Sequence, residues 1–314
     1  MLGLPVGLTA QSKLRWQQVD SLFAPLPAGV HVYKSTDSLD GAPNIAYYIE
    51  LPLQNKKLQF TTDTTRGRRL TPSGFYEKNG RPLVVMNGTF FDFKTNRNLN
   101  AVMRNGRLLS YHLHAAAGRG KDTLTWHHYT QGAIGISKRR KADVAWLFTD
   151  SARRRPAALQ RAPLYVKDSS KILTIKHMRQ NAAALGFQPK WSMQTAIGGG
   201  PVLLHNDTIR ITNNEERLFA GKAIHDRHPR TAAGYTNDGR LILLVVQGRT
   251  PGLAAGASLT QLARMLQQLG CVEALNLDGG GSSCLLINGR NTIQPSDKEG
   301  QRPVPGVLLV HWKK

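Results

Sequence analysis

Acidic residues are scarce in this chain of 314: Asp and Glu number 20 against 42 Lys and Arg, a formal charge of +22. Such a field attracts nucleic acid, anionic glycans, phosphorylated substrates or anionic membrane surfaces, and says nothing about fold. Cysteine is nearly missing. Cys271 and Cys284 are the only two, which excludes a disulfide framework. Two buried thiols are expected, with pairing left open only if their strands are neighbours. No apolar run reaches 18 residues, so no helical membrane span is expected. Aromatic residues are 7% of the chain. None flanks the basic clusters Arg66/Arg68/Arg69, Lys138–Lys141 and Arg153–Arg155, so the stacking platforms of single-strand binders are missing and nucleic acid is an unlikely partner. Motifs are missing too. There is no G-x-x-x-x-G-K-[ST], no G-x-S-x-G, no H-E-x-x-H and no zinc-type Cys/His spacing. His112/His114 and His127-His128 have no evident third ligand, so neither metal nor cofactor is expected.

What is present suffices for a core. Hydrophobic residues make up 40%, which excludes a disordered chain. Residues 1–30 read as a leader and irregular entry. The opening MLGLPVGLTA is apolar but has no basic start; it fits the stub of a trimmed export signal, and a periplasmic or extracellular location is the expectation. Residues 31–314 read as a single domain. Within it, 138–175 is basic and weakly patterned, as an insertion or a lid would be.

Short apolar runs alternate with Asn and Gly turns at Asn79-Gly80, Asn105-Gly106, Asn206-Asp207, Asn237-Asp238-Gly239 and Asn288-Gly289. Asn and Gly tolerate the positive φ of tight hairpins, so these pairs predict antiparallel strands. The clearest strands are 83–86, 241–246, 274–277, 284–287 and 307–311. Ser258 with Gln261 three residues later forms a capping box, Leu262, Met265, Leu266 and Leu269 follow at helical spacing, and Gly270 stops the helix. A second helix is expected over 176–185, ended by Gly186, with His177 facing solvent. The fold class is therefore α+β: mainly antiparallel sheets packed by a few helices around one cavity.

Four segments could carry chemistry. In Asn276-Leu-Asp278-Gly279-Gly280-Gly281-Ser282-Ser283 an apolar strand delivers a carboxylate to a turn of three glycines, which lets a ligand approach the backbone. The plain alternative is a Gly-rich turn with a capping Asp. A second Gly-rich turn runs Gly198-Gly199-Gly200-Pro201. In His228-Pro229-Arg230-Thr231 a Pro-fixed turn presents a guanidinium able to fork onto phosphate or carboxylate, unless it is an ordinary surface Arg. Upstream, Glu215 and Glu216 are two of the few acids in this half, or simply a solvated helix start. In Asn87-Gly88-Thr89-Phe90-Phe91, Asn87 could bond a sugar hydroxyl and Phe91 stack on a ring; core packing is the alternative for at least one Phe.

In order and spacing, these blocks resemble the phosphodiester glycosidase family: Asn87–Phe91 matches N-G/A-G-F-F, His228–Gly234 matches H-P-R-T-A-x-G, and Ala274–Ser283 matches A-x-N-L-D-G-G-G-S-S. Gly198–Pro201, the helix S-L-T-Q-L-A and a closing stretch at 301–310 also fit. Thr89 stands in place of a usual Gly, and Gln247-Gly248-Arg249 where D-G-R is common, so one acid is missing. The resemblance implies hydrolysis of a sugar-1-phosphodiester. It assigns Asp278 as nucleophile or base, Glu216 as a second carboxylate and Arg230 as phosphate clamp. Asn87 and Asn276 would position hydroxyls, and Gly199, Gly200, Gly279 and Gly280 would cradle phosphate. Gly88, Phe91, His228, Thr231, Ser282 and Ser283 complete the expected binding set. The expected partner is a sugar-phosphate-sugar or phosphorylated glycan, as in envelope or exopolysaccharide metabolism. The competing reading is a non-catalytic module that binds anionic polysaccharide.

Overall fold

A computed structural model of the chain describes residues 13–118 and 120–313. The opening MLGLPVGLTA lies outside them. Mainly antiparallel sheets with few helices make up the fold. The largest sheet has eight strands, in the spatial order Gln17–Gln18, His31–Ser35, Ala46–Pro52, Arg240–Val246, Arg230–Thr236, Cys271–Asn276, Val202–His205 and Thr208–Ile209. A seven-stranded sheet is centred on Ala142–Phe148, Gln131–Ser137 and Met193–Gly198. A five-stranded sheet contains Leu285–Ile287, Val84–Asn87, Gly306–Trp312 and Leu58–Thr64. A fourth, three-stranded sheet pairs Tyr165–Lys167, Trp126–Tyr129 and Ala115–Ala117.

Period-two burial explains the layering. Along Arg240–Val246, Leu241, Leu243 and Val245 enter a core shared with Val84, Met86 and Leu308 of the five-stranded sheet and Ile134, Val144 and Ile197 of the seven-stranded one. Ile242, Leu244 and Val246 point the other way, under the helix Leu259–Gln268. A strand buried on both faces reads as a continuous apolar run, and LILLVV is one. The helix buries Leu259, Leu262, Ala263, Met265 and Leu266, and both bonds of its capping box form, Gln261 N–H to Ser258 Oγ at 3.2 Å and Ser258 N–H to Gln261 Oε1 at 2.8 Å. Gly270 follows at φ +79°.

Hairpins form at four of the five expected turns. The strands paired across them are Val102–Arg104 with Arg107–Ser110, Val202–His205 with Thr208–Ile209, Arg230–Thr236 with Arg240–Val246, and Leu285–Ile287 with Arg290–Asn291. Asn79-Gly80 instead ends the helix Pro72–Lys78, which the Thr71 hydroxyl caps at its start. Its core side is Phe75, packed on Val85 and Leu309, too short a pattern to stand out from the flanking strands. The helix expected over 176–185 is two short helices, Ile175–Gln180 and Ala182–Leu185, broken at Asn181 and stopped by Gly186 at φ +58°.

Within 13–30 the elements are the two-residue strand Gln17–Gln18, paired with Lys34 and Tyr33, and a 3-10 turn at Asp20–Phe23, with Leu14 and Phe23 buried. One expectation about chain organisation needs correction. The stretch 138–175 is no lid, because Ala142–Phe148 sits inside the seven-stranded sheet with Trp146 fully buried. Its Arg and Lys residues flank strands whose apolar content is carried by few residues. Cys271 and Cys284 are free and buried, as expected, and burial pushes both thiols up to about 12. Among the described residues, no helix is long and apolar enough to cross a membrane.

Candidate active site

Asp278 lies just past the strand Cys271–Asn276, where three chain segments meet. Its N–H donates to the Gly88 carbonyl at 2.9 Å, and the preceding Leu277 N–H donates to Thr231 O at 2.8 Å. Asn87 closes the junction. Its Nδ2 donates to the Asp278 carbonyl at 2.6 Å, while its Oδ1 accepts from Thr231 Oγ1 at 2.9 Å and from the Cys284 N–H at 3.0 Å. Both ends of the Asn87 amide are therefore spent inside the protein. Asn87 and Thr231 fix the backbone that carries the carboxylate; they do not face a ligand.

The Asp278 side chain reaches a cavity of about 380 Å³, and it is the only acid in the wall. Burial raises its carboxyl to about 7, against the pull of Ser282, Arg302 and the Gly279 N–H. Ser282 Oγ lies near the carboxyl but, like Ser283 Oγ, is buried without a hydrogen-bond partner among the described residues. Arg302 supplies a cation in the same wall. Its Nε and Nη2 fork onto Asp297 at 2.7 and 2.9 Å, and Nη1 has no partner among the described residues. Gly281 makes room for this pair: a Cβ there would fall 2.1 Å from Arg302 Nη2 and 2.2 Å from Asp297 Oδ1.

The rest of the wall is aromatic and amide. Phe90, Phe91, Phe93 and Phe219 line it, with Phe91 and Phe93 rings 4.7 Å apart and Phe90 edge-on to Phe219 at 5.7 Å. Arg69 lies over both Phe91 and Phe93, 5.5 Å from each ring centre. Asn100 and Gln131 contribute polar edges, joined by a 3.0 Å bond between Asn100 Nδ2 and Gln131 Oε1. Arg217 stands at the opposite wall, in a loop where it adopts φ +54°. A second hollow shares Tyr129, Arg217 and Phe219 with this one.

Of the expected site residues, Asp278 and Phe91 line the cavity; several others are placed differently. Glu216 is fully buried and outside the wall. It accepts from Gly132 N–H at 2.7 Å, Val202 N–H at 2.9 Å, Trp146 Nε1 at 3.1 Å and the Thr212 hydroxyl. Burial raises its carboxyl to about 7 against those bonds. Four donors saturate it, so it is a cross-link between sheets and not a second reacting acid. Gly200, at φ +140°, is required beside it, since a Cβ would lie 2.7 Å from Glu216 Oε2.

Arg230 is also buried, and two of its three guanidinium nitrogens are bonded to carbonyls. Nε donates to Ala257 O at 2.9 Å, and Nη2 to Asp226 O at 3.1 Å and Ala223 O at 3.4 Å. Burial lowers its pKa to about 10. It ties loops together through Nε and Nη2, does not line the cavity, and keeps an Nη1 without a partner among the described residues. Asn276 Nδ2 donates to Gly200 O at 2.7 Å, leaving its Oδ1 buried and unpaired. Three of the four glycine N–H groups expected to cradle phosphate are spent inside the protein: Gly199 donates to Gly132 O, Gly200 to Asn276 O and Gly280 to Pro229 O, while the Gly279 N–H faces the Asp278 carboxyl. Gly88 packs against Ile197, where a Cβ would not fit. His228 borders the far side of the glycine turn, paired through its backbone with Ala257. Gln247, at the position of the missing acid, is buried outside the cavity wall, accepting the Gln294 N–H at 3.0 Å.

Sequence reasoning missed Arg302, Arg217, Tyr129, Asn100, Gln131 and three of the four Phe residues. One signal was available: the run Phe90-Phe91-Asp92-Phe93 places aromatics on both sides of a turn. Of the others, Tyr129 and Gln131 lie at strand ends and Arg302, Arg217, Asn100 and Phe219 in loops, none with a motif of its own.

Comparison with known proteins agrees with these blocks. The sequence matches the phosphodiester glycosidase family over residues 80–311. It is 33% identical over 119 residues to the N-acetylglucosamine-1-phosphodiester alpha-N-acetylglucosaminidase of Mus musculus, covering 36% of this chain and 23% of that protein. For the Homo sapiens enzyme of the same name the figures are 40% over 129 residues, 37% and 25%. The matched stretch is thus a quarter or less of the length of these relatives. Among solved structures, the zebrafish N-acetylglucosamine-1-phosphodiester alpha-N-acetylglucosaminidase catalytic domain aligns with a TM-score of 0.56 and 21% identity, over 96% of this chain and 89% of that one. A hypothetical protein from Synechocystis aligns at 0.58 and 18% identity, over 96% and 68%. At these identities the likeness is one of fold.

Proposed function

Because the chain belongs to the phosphodiester glycosidase family, we propose that it hydrolyses a sugar-1-phosphodiester at the bond between the anomeric carbon and the bridging oxygen, in the cavity that Asp278 enters. The observation that carries this reading is a lone carboxyl, raised to about 7, sharing an aromatic-walled cavity with a guanidinium. The Phe91 and Phe93 faces suit the apolar side of a hexose, and Asn100 and Gln131 suit its hydroxyls. Arg302 faces the phosphate, in the role that sequence alone gave to Arg230.

A single acid is enough for this chemistry. The departing group is a phosphomonoester whose second pKa is about 6, so it leaves as an anion without strong protonation. Asp278, ionised, attacks the anomeric carbon or takes a proton from the attacking water. The C1–O bond breaks with its electron pair going to the phosphate oxygen, water's oxygen ends on C1, and the products are a free sugar and a phosphate monoester. The substrate we favour is N-acetylglucosamine-1-phosphodiester-like, within envelope or exopolysaccharide glycans, which places the enzyme outside the cytoplasm. The test is release of N-acetylglucosamine from its methyl 1-phosphodiester. Asp278→Asn should cut kcat/KM by at least about 1000-fold with the fold intact; turnover close to wild type would remove Asp278 from the reaction.

A further inference from the structure

A second feature lies outside the cavity. Two hollows of about 500 and 350 Å³ adjoin one another and share Arg154 in their walls. The first is lined by Arg66, Arg104 and Arg107 with Asp63, the second by Arg153, Arg155 and Lys190. Asp63 is the only acid in either wall, and it is already neutralised by Lys78 at 2.7 Å and Arg104 at 3.2 Å. Arg66, Arg107 and Arg154 are exposed, and their guanidiniums have no hydrogen bond or ion pair among the described residues. Three unpaired guanidiniums repel one another unless an anion sits between them. Arg107 alone could be explained as a charge blocking the open edge of the seven-stranded sheet. Arg154 lies beside that strand because its carbonyl accepts the Leu108 N–H at 3.2 Å, but Arg66 comes from a separate segment, so edge protection does not account for its place there.

The groove and the cavity share no wall residue but are linked by short stretches of chain. Thr64 in the groove wall accepts Asn98 Nδ2 at 2.8 Å, and Asn98 is followed directly by Leu99 and Asn100 of the cavity wall. The same loop carries Arg66 at the groove and Arg69 over Phe91 and Phe93 at the cavity. Three residues of chain separate them, no more than about 10 Å.

We propose that the groove is a track for the rest of a polymeric substrate: a glycan whose sugars are joined by repeated phosphodiesters, with one linkage in the cavity and the next phosphates on Arg66, Arg107 and Arg154. This rests on the hydrolase reading above and adds the substrate's class. A polymer of alternating sugars and phosphates matches a groove that offers cations and no aromatic ring; nucleic acid would call for stacking platforms as well.

The test compares the wild type with the triple variant Arg66→Gln/Arg107→Gln/Arg154→Gln on two substrates, the methyl 1-phosphodiester of N-acetylglucosamine and a polymer of N-acetylglucosamine-1-phosphate repeats. In the triple variant, kcat/KM on the polymer should fall at least tenfold and stay within twofold on the short diester. Polymer binding is measured separately against salt, where loss of three cations should flatten the slope of log K on log [salt] by about 2. An unchanged polymer kcat/KM together with an unchanged slope overturns the track. If the wild type cleaves neither substrate, the hydrolase reading has failed, and the binding slope still decides the track by itself. Single-stranded DNA bound as tightly as the polymer, through the same three arginines, overturns the assignment to a glycan.

Discussion

Asp278 carries opposite consequences for activity and stability. Its carboxyl titrates near 7 in the folded protein against 3.8 in the open chain. Between those values the native state binds more protons than the unfolded state, so stability falls as pH rises through the window, and the full penalty is present above 7. Three pK steps would amount to about 4 kcal/mol unscreened; a side chain partly open to a water-filled cavity retains about 1–2 kcal/mol. Asp278→Asn should therefore melt higher than wild type at pH 8 and equal to it near pH 4, by calorimetry. The wild-type kcat/KM should climb with pH up to an apparent pKa of about 7, since the ionised form reacts. Glu216 behaves differently. Glu216→Gln leaves one acceptor oxygen for four donors, and should cost about 2–4 kcal/mol in denaturant melts. Its kcat should stay within a few-fold at a temperature where it is folded. A folded Glu216→Gln protein with kcat down 1000-fold would restore the catalytic role.

At the scale of elements, the glycine turn after Cys271–Asn276 is the feature most exposed to test. Gly281→Ala drives a methyl into the Arg302–Asp297 pair. Arg302 is a long, flexible side chain and both partners are only partly buried, so the pair gives way before the backbone does. We expect KM for the diester to rise about tenfold or more with a small drop in Tm; an unchanged KM would separate Arg302 from the phosphate. This turn was legible in the sequence because its pattern is local: an apolar strand, an acid, three glycines. Strands such as LILLVV and the Ser258 helix were legible for the same reason. Pro72–Lys78 was not, since two buried residues leave no period to read. Arg230 and Glu216 showed as motif residues, but nothing local says whether a charge meets ligand or carbonyls. Arg230 donates to carbonyls from residues 223, 226 and 257, and that convergence exists only after folding. Arg302 reaches the cavity from a loop with no periodic pattern, for the same reason.

For the whole molecule, three sheets pack into one hydrophobic core and hold the segments around residues 87, 131, 230, 278 and 302 together at its rim. The positive charge falls in two distinct places in this arrangement. A few cations, Arg302 and Arg217 among them, face the cavity, while the free arginines of the adjoining groove face solvent. Cleavage at carbon, not at phosphorus, is what an acid beside a sugar platform would bring about, and isotope position reports it directly. Hydrolysis of the methyl 1-phosphodiester of N-acetylglucosamine in ¹⁸O-water, read by mass spectrometry at early times, should give unlabelled methyl phosphate and label on the sugar's anomeric oxygen. Label in the methyl phosphate would mean attack at phosphorus and would contradict a glycosidase centred on Asp278.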